Sequence, residues 1–257
     1  MPDFDVPGSD LAPVRVGHDW RAMNHDDFGG SAAPLRTATR LDALTGGFEP
    51  GRVALIESTS PYIFPLTTSL CVAAAIDGEV VFVDGGNSIQ PYAIARLCKA
   101  RHIDARPVLS RIRVARAFTA YQLATLIDER LDAEVRRSGA RTVVVSCMFG
   151  MFFDGDVPWS ESFQLLRRCL EEVRAVARER KCRTVVTHFS PKPLSRRFGA
   201  MVNGLVDSRL RMMDQGEALV AETQLGSEVF HVGQRRAQRT LDQFAGGWPV
   251  GPHAAHV

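Results

Sequence analysis

The hydrophobic pattern of the chain alternates between two kinds of block. Short runs rich in apolar residues recur: "RVALIE" (52–57), "EVVFVDGG" (79–86), "RIRVARAF" (111–118), "RTVVVSCMFGMFF" (141–153) and "CRTVVTHF" (182–189). Their length, β-branched content and terminal Gly, Asp or Ser predict buried strands. Between them lie longer blocks with apolar residues at helical spacing: "PLTTSLCVAAAID" (65–77), "SIQPYAIARLCKARHI" (88–103), "TAYQLATLIDERLDAEVRRSG" (119–139) and "SESFQLLRRCLEEVRAVARERK" (160–181). Ser160 or Ser162 is a candidate cap for the last helix. Before the first strand, "TRLDALTGGFEPG" predicts a short helix closed by two glycines and a turn. Strands alternating with helices predict an α/β fold, a doubly wound and mainly parallel sheet with helices on both faces. After "SPKPLSRRFGAMVNGLVDS" the pattern changes. "RLRMMDQGEALVAET" and "SEVFHVG" predict an antiparallel hairpin at the C-terminal edge of the sheet.

The ends have no sustained period. Residues 1–34 are rich in Pro, Gly, Asp and Ala and are expected to be an extended arm, followed by a core domain over 35–233 and a C-terminal helix and tail over 234–257. The 257 residues suffice for one large domain. Charge is close to balanced at +2, but unevenly placed: from Lys181 onward ten Lys/Arg face six Asp/Glu. A modestly basic C-terminal third permits nucleic-acid contact without requiring it. No apolar run reaches the ~20 residues of a membrane helix, and the first residues lack the basic start and apolar core of a secretory signal. Cys71, Cys98, Cys147, Cys169 and Cys182 show no Cys-x-x-Cys spacing. They read as free thiols of a cytoplasmic protein. The histidines have no ligand spacing, so no metal is expected.

The order of these pieces resembles the core ATPase domain of the RecA/RadA recombinase family, the RadA branch most closely. "TRLDALTGGFEPG" is similar to the family's lead-in to its phosphate loop. "VVFVDGGNSIQPYAIARL" is similar to the strand and helix that follow, and "RIRVARAF" to the next strand. "RTVVVSCMFGMFF" and "RTVVTHF" stand where the family has its Walker B and Thr-Asn-Gln strands. The resemblance spans roughly Leu35 to Gly233, without the small helical domain that precedes the RadA core.

A phosphate loop needs glycines that turn backbone N–H groups inward, a lysine for the β- and γ-phosphates and a hydroxyl for Mg²⁺. Laid on that pattern, Ser58 and Ile63 stand at the glycines, Phe64 at the lysine and Pro65 at the hydroxyl residue. The resemblance places Gly86 at the catalytic glutamate, Cys147 (or Ser146) at the Walker B aspartate, and His188 and Phe189 at the Asn-Gln pair. It therefore implies a degenerate nucleotide site with no cofactor, and a pseudo-ATPase. Asp84 survives and is expected to cap its turn. Ser58, Ser60 and His188 lack the Gly-x-Ser-x-Gly elbow of a hydrolase.

Where the family has its second DNA-binding loop, this chain carries Lys192, Arg196, Arg197 and Phe198. The basic residues are candidates for phosphate contact and Phe198 for base stacking, on single-stranded DNA bound weakly. The stretch over the other loop position, "DGDVPWSES", is acidic. Phe28 in the arm is a candidate for docking on a partner, by analogy with the Phe-x-x-Ala segment that links family protomers, although Ser31 occupies the alanine position.

The expected function is a non-catalytic RecA/RadA paralog, a binding or scaffold subunit in DNA repair or recombination. Its partner would be a protein with an intact RecA-family ATPase site. Two other readings stand beside it. One is an adaptor of the ImuA kind, serving an error-prone repair polymerase. The other is an enzyme or ligand-binding protein that uses the remodelled loop as a pocket.

Overall fold

The structure, a computed structural model, describes residues 34–36, 41–153, 158–190, 196–216 and 218–231. Eight strands form one sheet: β1 (Val53–Ser58), β2 (Val80–Asp84), β3 (Ile112–Arg116), β4 (Thr142–Ser146), β5 (Arg183–Phe189), β6 (Ser208–Asp214), β7 (Ala218–Thr223) and β8 (Gly226–His231). They are ordered β3-β2-β4-β5-β1-β6-β7-β8. β1 to β6 run parallel, with β1 between β5 and β6. The expected hairpin is present, with a difference. Its first strand, β6, joins the parallel part beside β1, and the antiparallel pairing is confined to β6–β7 and β7–β8.

Four of the five strands predicted from the apolar runs, β1, β2, β4 and β5, are the buried centre of this sheet, and β3 is its partly exposed edge. β1, β2 and β4 are buried at every position, as a parallel sheet covered on both faces requires. The residues of each strand divide between two cores. Val53, Leu55, Val143, Val145 and Val186 face one, beneath α5 (Ala120–Thr125), α6 (Asp132–Ser138), α7 (Trp159–Arg180) and α8 (Arg196–Leu205). Ala54, Ile56, Val144 and Val185 face the other, beneath α2 (Ile63–Asp77), α3 (Pro91–Ala100) and α4 (Ala105–Ser110). α1 (Leu41–Thr45) ends at Gly46 and Gly47, whose φ values of 70° and 92° are the left-handed values the Gly-Gly cap needs.

Four local features differ from the sequence reading. The long helix over 119–139 is interrupted by a π-helical stretch, Leu126–Leu131, between α5 and α6. α4 is an additional short helix, begun where the Asp104 carboxylate accepts the N–H of Arg106. α7 starts at Trp159, with Pro158 as its cap, and Ser162 lies inside its first turn rather than capping it. Residues 196–205 form α8 rather than a loop. Phe198 and Val202 supply its buried face, at a helical spacing that Gly199 and Gly204 obscure in the sequence.

Candidate functional site

In a parallel sheet, ligands bind outside the carboxyl ends of the strands. The residues aligned with a nucleotide site gather at those ends of β1, β2, β4 and β5. Ser58 ends β1, and Thr59–Tyr62 lead into α2. A phosphate loop at this place would offer free N–H groups. Here the donors are already engaged. The N–H of Thr59 donates to the Met212 carbonyl at 3.0 Å. Those of Ser60 and Tyr62 donate to the hydroxyls of Ser58 (2.9 Å) and Ser60 (3.4 Å). Those of Ile63, Phe64 and Leu66 donate to the carbonyls of Ser60, Pro61 and Tyr62 at 3.3, 3.1 and 3.1 Å. Pro61 and Pro65 have none to give.

The loop is also tied down by its side chains. The Ser58 hydroxyl donates to the Ser60 carbonyl at 2.8 Å, and the Thr59 hydroxyl accepts the N–H of Asp214 at 2.9 Å. Ile63 is buried, and the Phe64 ring packs against Phe189 with centroids 5.3 Å apart. The turn from β1 into α2 is thus closed by an apolar contact and by its own hydrogen bonds.

Beside this loop a polar knot joins β2, β3, β4 and β5. The carboxylate of Asp84, fully buried, accepts the N–H groups of Gly86, Ser88 and Ile89 and the Ser88 hydroxyl. Arg116 completes it at 3.3 Å. Asp84 thus caps its turn, as expected. The knot continues from the Ser88 hydroxyl to Ser146 (2.6 Å), and from Ser146 to Thr187 (3.3 Å). Thr187 also accepts the N–H of Cys147 at 3.0 Å.

Cys147 has a φ of 53°, and its side chain turns toward Gly86. A Cβ on Gly86 would lie 2.5 Å from the Cys147 Cβ and 2.8 Å from its sulfur. The two positions cannot both carry side chains on this backbone. Burial pushes the Cys147 thiol up, so it is held as a thiol and not as a nucleophilic thiolate.

His188 stands on the opposite face of the sheet from Ser58, packed on Phe149 with centroids 5.1 Å apart. A Ser–His pair is therefore not formed. Its Nδ1 is buried without a hydrogen-bond partner among the described residues. Burial pushes the imidazole down to about 4. The unfolded chain takes the proton near pH 6.5, whereas the folded chain resists it to about 4. This contribution to stability is therefore complete above pH 6.5 and lost as pH falls to about 4, a total of about 3 kcal/mol. Denaturation curves of the wild type and His188→Phe between those two pH values check it. The variant should lose less stability on acidification, and parallel pH profiles would contradict the assignment.

The DNA-binding candidates divide. Lys192 lies outside the described residues, as does Phe28. Arg196 and Arg197 open α8. Phe198 is not available for base stacking: its ring is 1 % exposed and sits among Phe153, Trp159 and Phe163 at 4.5, 4.5 and 5.3 Å. The helix, unrecognised from sequence, turns this residue into the core. The sequence reading also missed the buried Glu57, which pairs with Arg209 at 2.5 Å and Arg211 at 3.7 Å. A glutamate in an otherwise apolar strand, and alternate arginines on β6, are the signal that points to it.

Among the described residues no helix is long and apolar enough to cross a membrane. No curated protein matches the chain. The family model for Rad51 matches residues 42–193, more than half of the chain, and so spans β1 to β5 and leaves the β6–β8 edge outside the match. With the strand order described above, this match makes the chain a member of the Rad51 family, built on the RecA/RadA-type core.

Proposed function

We propose that this chain is a non-catalytic member of its family, a binding or scaffold subunit in DNA repair or recombination. It modulates a partner that carries an intact RecA-family ATPase site. Family membership supports the recombination setting. The observation that carries the non-catalytic part is the closed loop after β1. From Thr59 to Leu66, each of these N–H groups is spent inside the protein or missing, and Phe64 fills the lysine position. Phosphoryl transfer depends on donors, cations and a metal arranged around the phosphates. This loop offers a phosphate none of its donors without breaking its own turn.

The experiment that tests the partner is a pull-down of the tagged full chain from nuclease-treated lysate of its own host, with mass spectrometry of the eluate. Recovery of a recombinase with complete Walker motifs is the expected result. Recovery of a repair polymerase instead would transfer the chain to the adaptor role. A metabolic enzyme, or bait alone, would remove the repair assignment.

A further inference from the structure

The helix after β2 turns one face to the core and a different kind of face to water. Ile94 and Cys98 seat α3 against the core it shares with α2 and α4. On the opposite side Tyr92, Arg96 and Lys99 are all exposed, at the i, i+4, i+7 spacing of a single stripe. Tyr92 is 87 % exposed, the most exposed large apolar side chain among the described residues. A ring with so much of its surface in water adds little to the stability of the fold. α4 packs against α3 and adds Arg106, exposed on the side away from the buried Val108.

The charge of this region has one sign. Residues 91–116 hold seven Lys/Arg and one acid, Asp104, in a chain whose net charge is +2. Three of the arginines are engaged by the fold. Arg111 donates to the Ala75 and Ile76 carbonyls, Arg113 pairs with Glu79, and Arg116 pairs with Asp84. Arg101 is half-buried, and Arg96, Lys99 and Arg106 are exposed. Asp104 accepts the Arg106 N–H at 3.0 Å as the cap of α4, and α3 itself contains no acidic residue.

Cations beside a bare aromatic ring suit a single-stranded nucleic acid. Its phosphates pair with the cations, and an unstacked base lies on the ring. A duplex keeps its bases inside and leaves the ring unused. An acidic peptide takes the cations but brings no planar base to the tyrosine. Along α3 the rise from Tyr92 is about 6 Å to Arg96 and about 10 Å to Lys99, room for a few nucleotides. The segment that the family resemblance offered for DNA does not combine these groups among the described residues, because Phe198 is in the core.

We propose that the outer face of α3 and α4 is a site for single-stranded DNA, with a base stacked on Tyr92 and phosphates held by Arg96, Lys99 and Arg106. The proposal rests on the DNA-repair setting of the proposed function and not on the protein partner. The pull-down is made from nuclease-treated lysate, so its result and the DNA result are independent.

Fluorescence anisotropy of a labelled oligothymidylate, titrated with the full chain over a series of salt concentrations, measures the site. Three phosphate contacts on a single strand predict that log Kd rises with log salt at a slope of about 2. Arg96→Ala/Lys99→Ala should weaken binding about tenfold or more and lower the slope by about 1.4. Tyr92→Ala should weaken it about tenfold at an unchanged slope, and Tyr92→Phe should keep the wild-type affinity, because the ring and not the hydroxyl does the stacking. Arg167→Ala, on α7 across the sheet, should change nothing. Melting temperatures equal to that of the wild type separate loss of the site from loss of the fold. No binding at low salt, an equal loss in Arg167→Ala, full affinity in Tyr92→Ala, or a duplex bound as tightly as the single strand would overturn the proposal. Displacement of the oligonucleotide by polyglutamate at equal charge would give the face to an acidic protein instead.

Discussion

Asp84→Ala is expected to lower the stability of the fold by about 4 kcal/mol, a large share of the ~5–15 kcal/mol that holds a domain folded. The buried carboxylate accepts three backbone N–H groups and one hydroxyl, and faces Arg116. Removing it leaves these part-buried donors without their acceptor, each worth up to roughly 3 kcal/mol, with part recovered as the turn relaxes and water reaches them. Asp84→Asn keeps one acceptor oxygen in the same place and should cost about half as much. Urea denaturation of the three proteins gives both numbers. A loss below about 1 kcal/mol in Asp84→Ala would mean that the turn is held by something other than this knot. The test bears on function because Asp84 ends β2 in the candidate site, two residues before Gly86. Its bonds are those of a structural cap.

Gly86→Glu should be the second most damaging change, although glutamate is the residue that the resemblance to the family would put there. A Cβ at that position meets the Cys147 side chain well inside contact distance. Overpacking of this kind costs about 1–3 kcal/mol, and the added carboxylate stands two residues from the buried carboxylate of Asp84. Cys147→Gly, in a backbone conformation with φ 53°, removes the obstructing atoms and suits glycine. The double variant Gly86→Glu/Cys147→Gly is therefore expected to melt higher than Gly86→Glu alone. Thermal denaturation of the two singles and the double measures the coupling. Additive losses would show that the two positions do not share space. The clash links two substitutions that look independent in the sequence. The side chain at 147 closes the room that a side chain at 86 would need.

The parallel core was readable because β1, β2, β4 and β5 are nearly continuous apolar runs, and burial on both faces demands that composition. The Gly-Gly cap and the turn role of Asp84 were readable because local backbone chemistry decides them. α8 was not readable, because Gly199 and Gly204 dilute its apolar stripe and the arginines before Phe198 draw attention to the surface. The closure of the loop after β1 was only half readable. The missing glycines and lysine are visible in "STSPYIFP". Two of the bonds that close it, from the Thr59 N–H to the Met212 carbonyl and from the Asp214 N–H to the Thr59 hydroxyl, join residues more than 150 apart in sequence and form only where β6 pairs with β1.

The central claim is that the loop from Ser58 to Leu66 holds no nucleotide. Isothermal titration of the full chain with ATP and Mg²⁺, at a protein concentration able to report a Kd of about 100 μM (about −5.5 kcal/mol), tests it most directly. The account predicts no saturable heat. A saturable isotherm with one site per chain, abolished by a bulky substitution at Ser60, would contradict it.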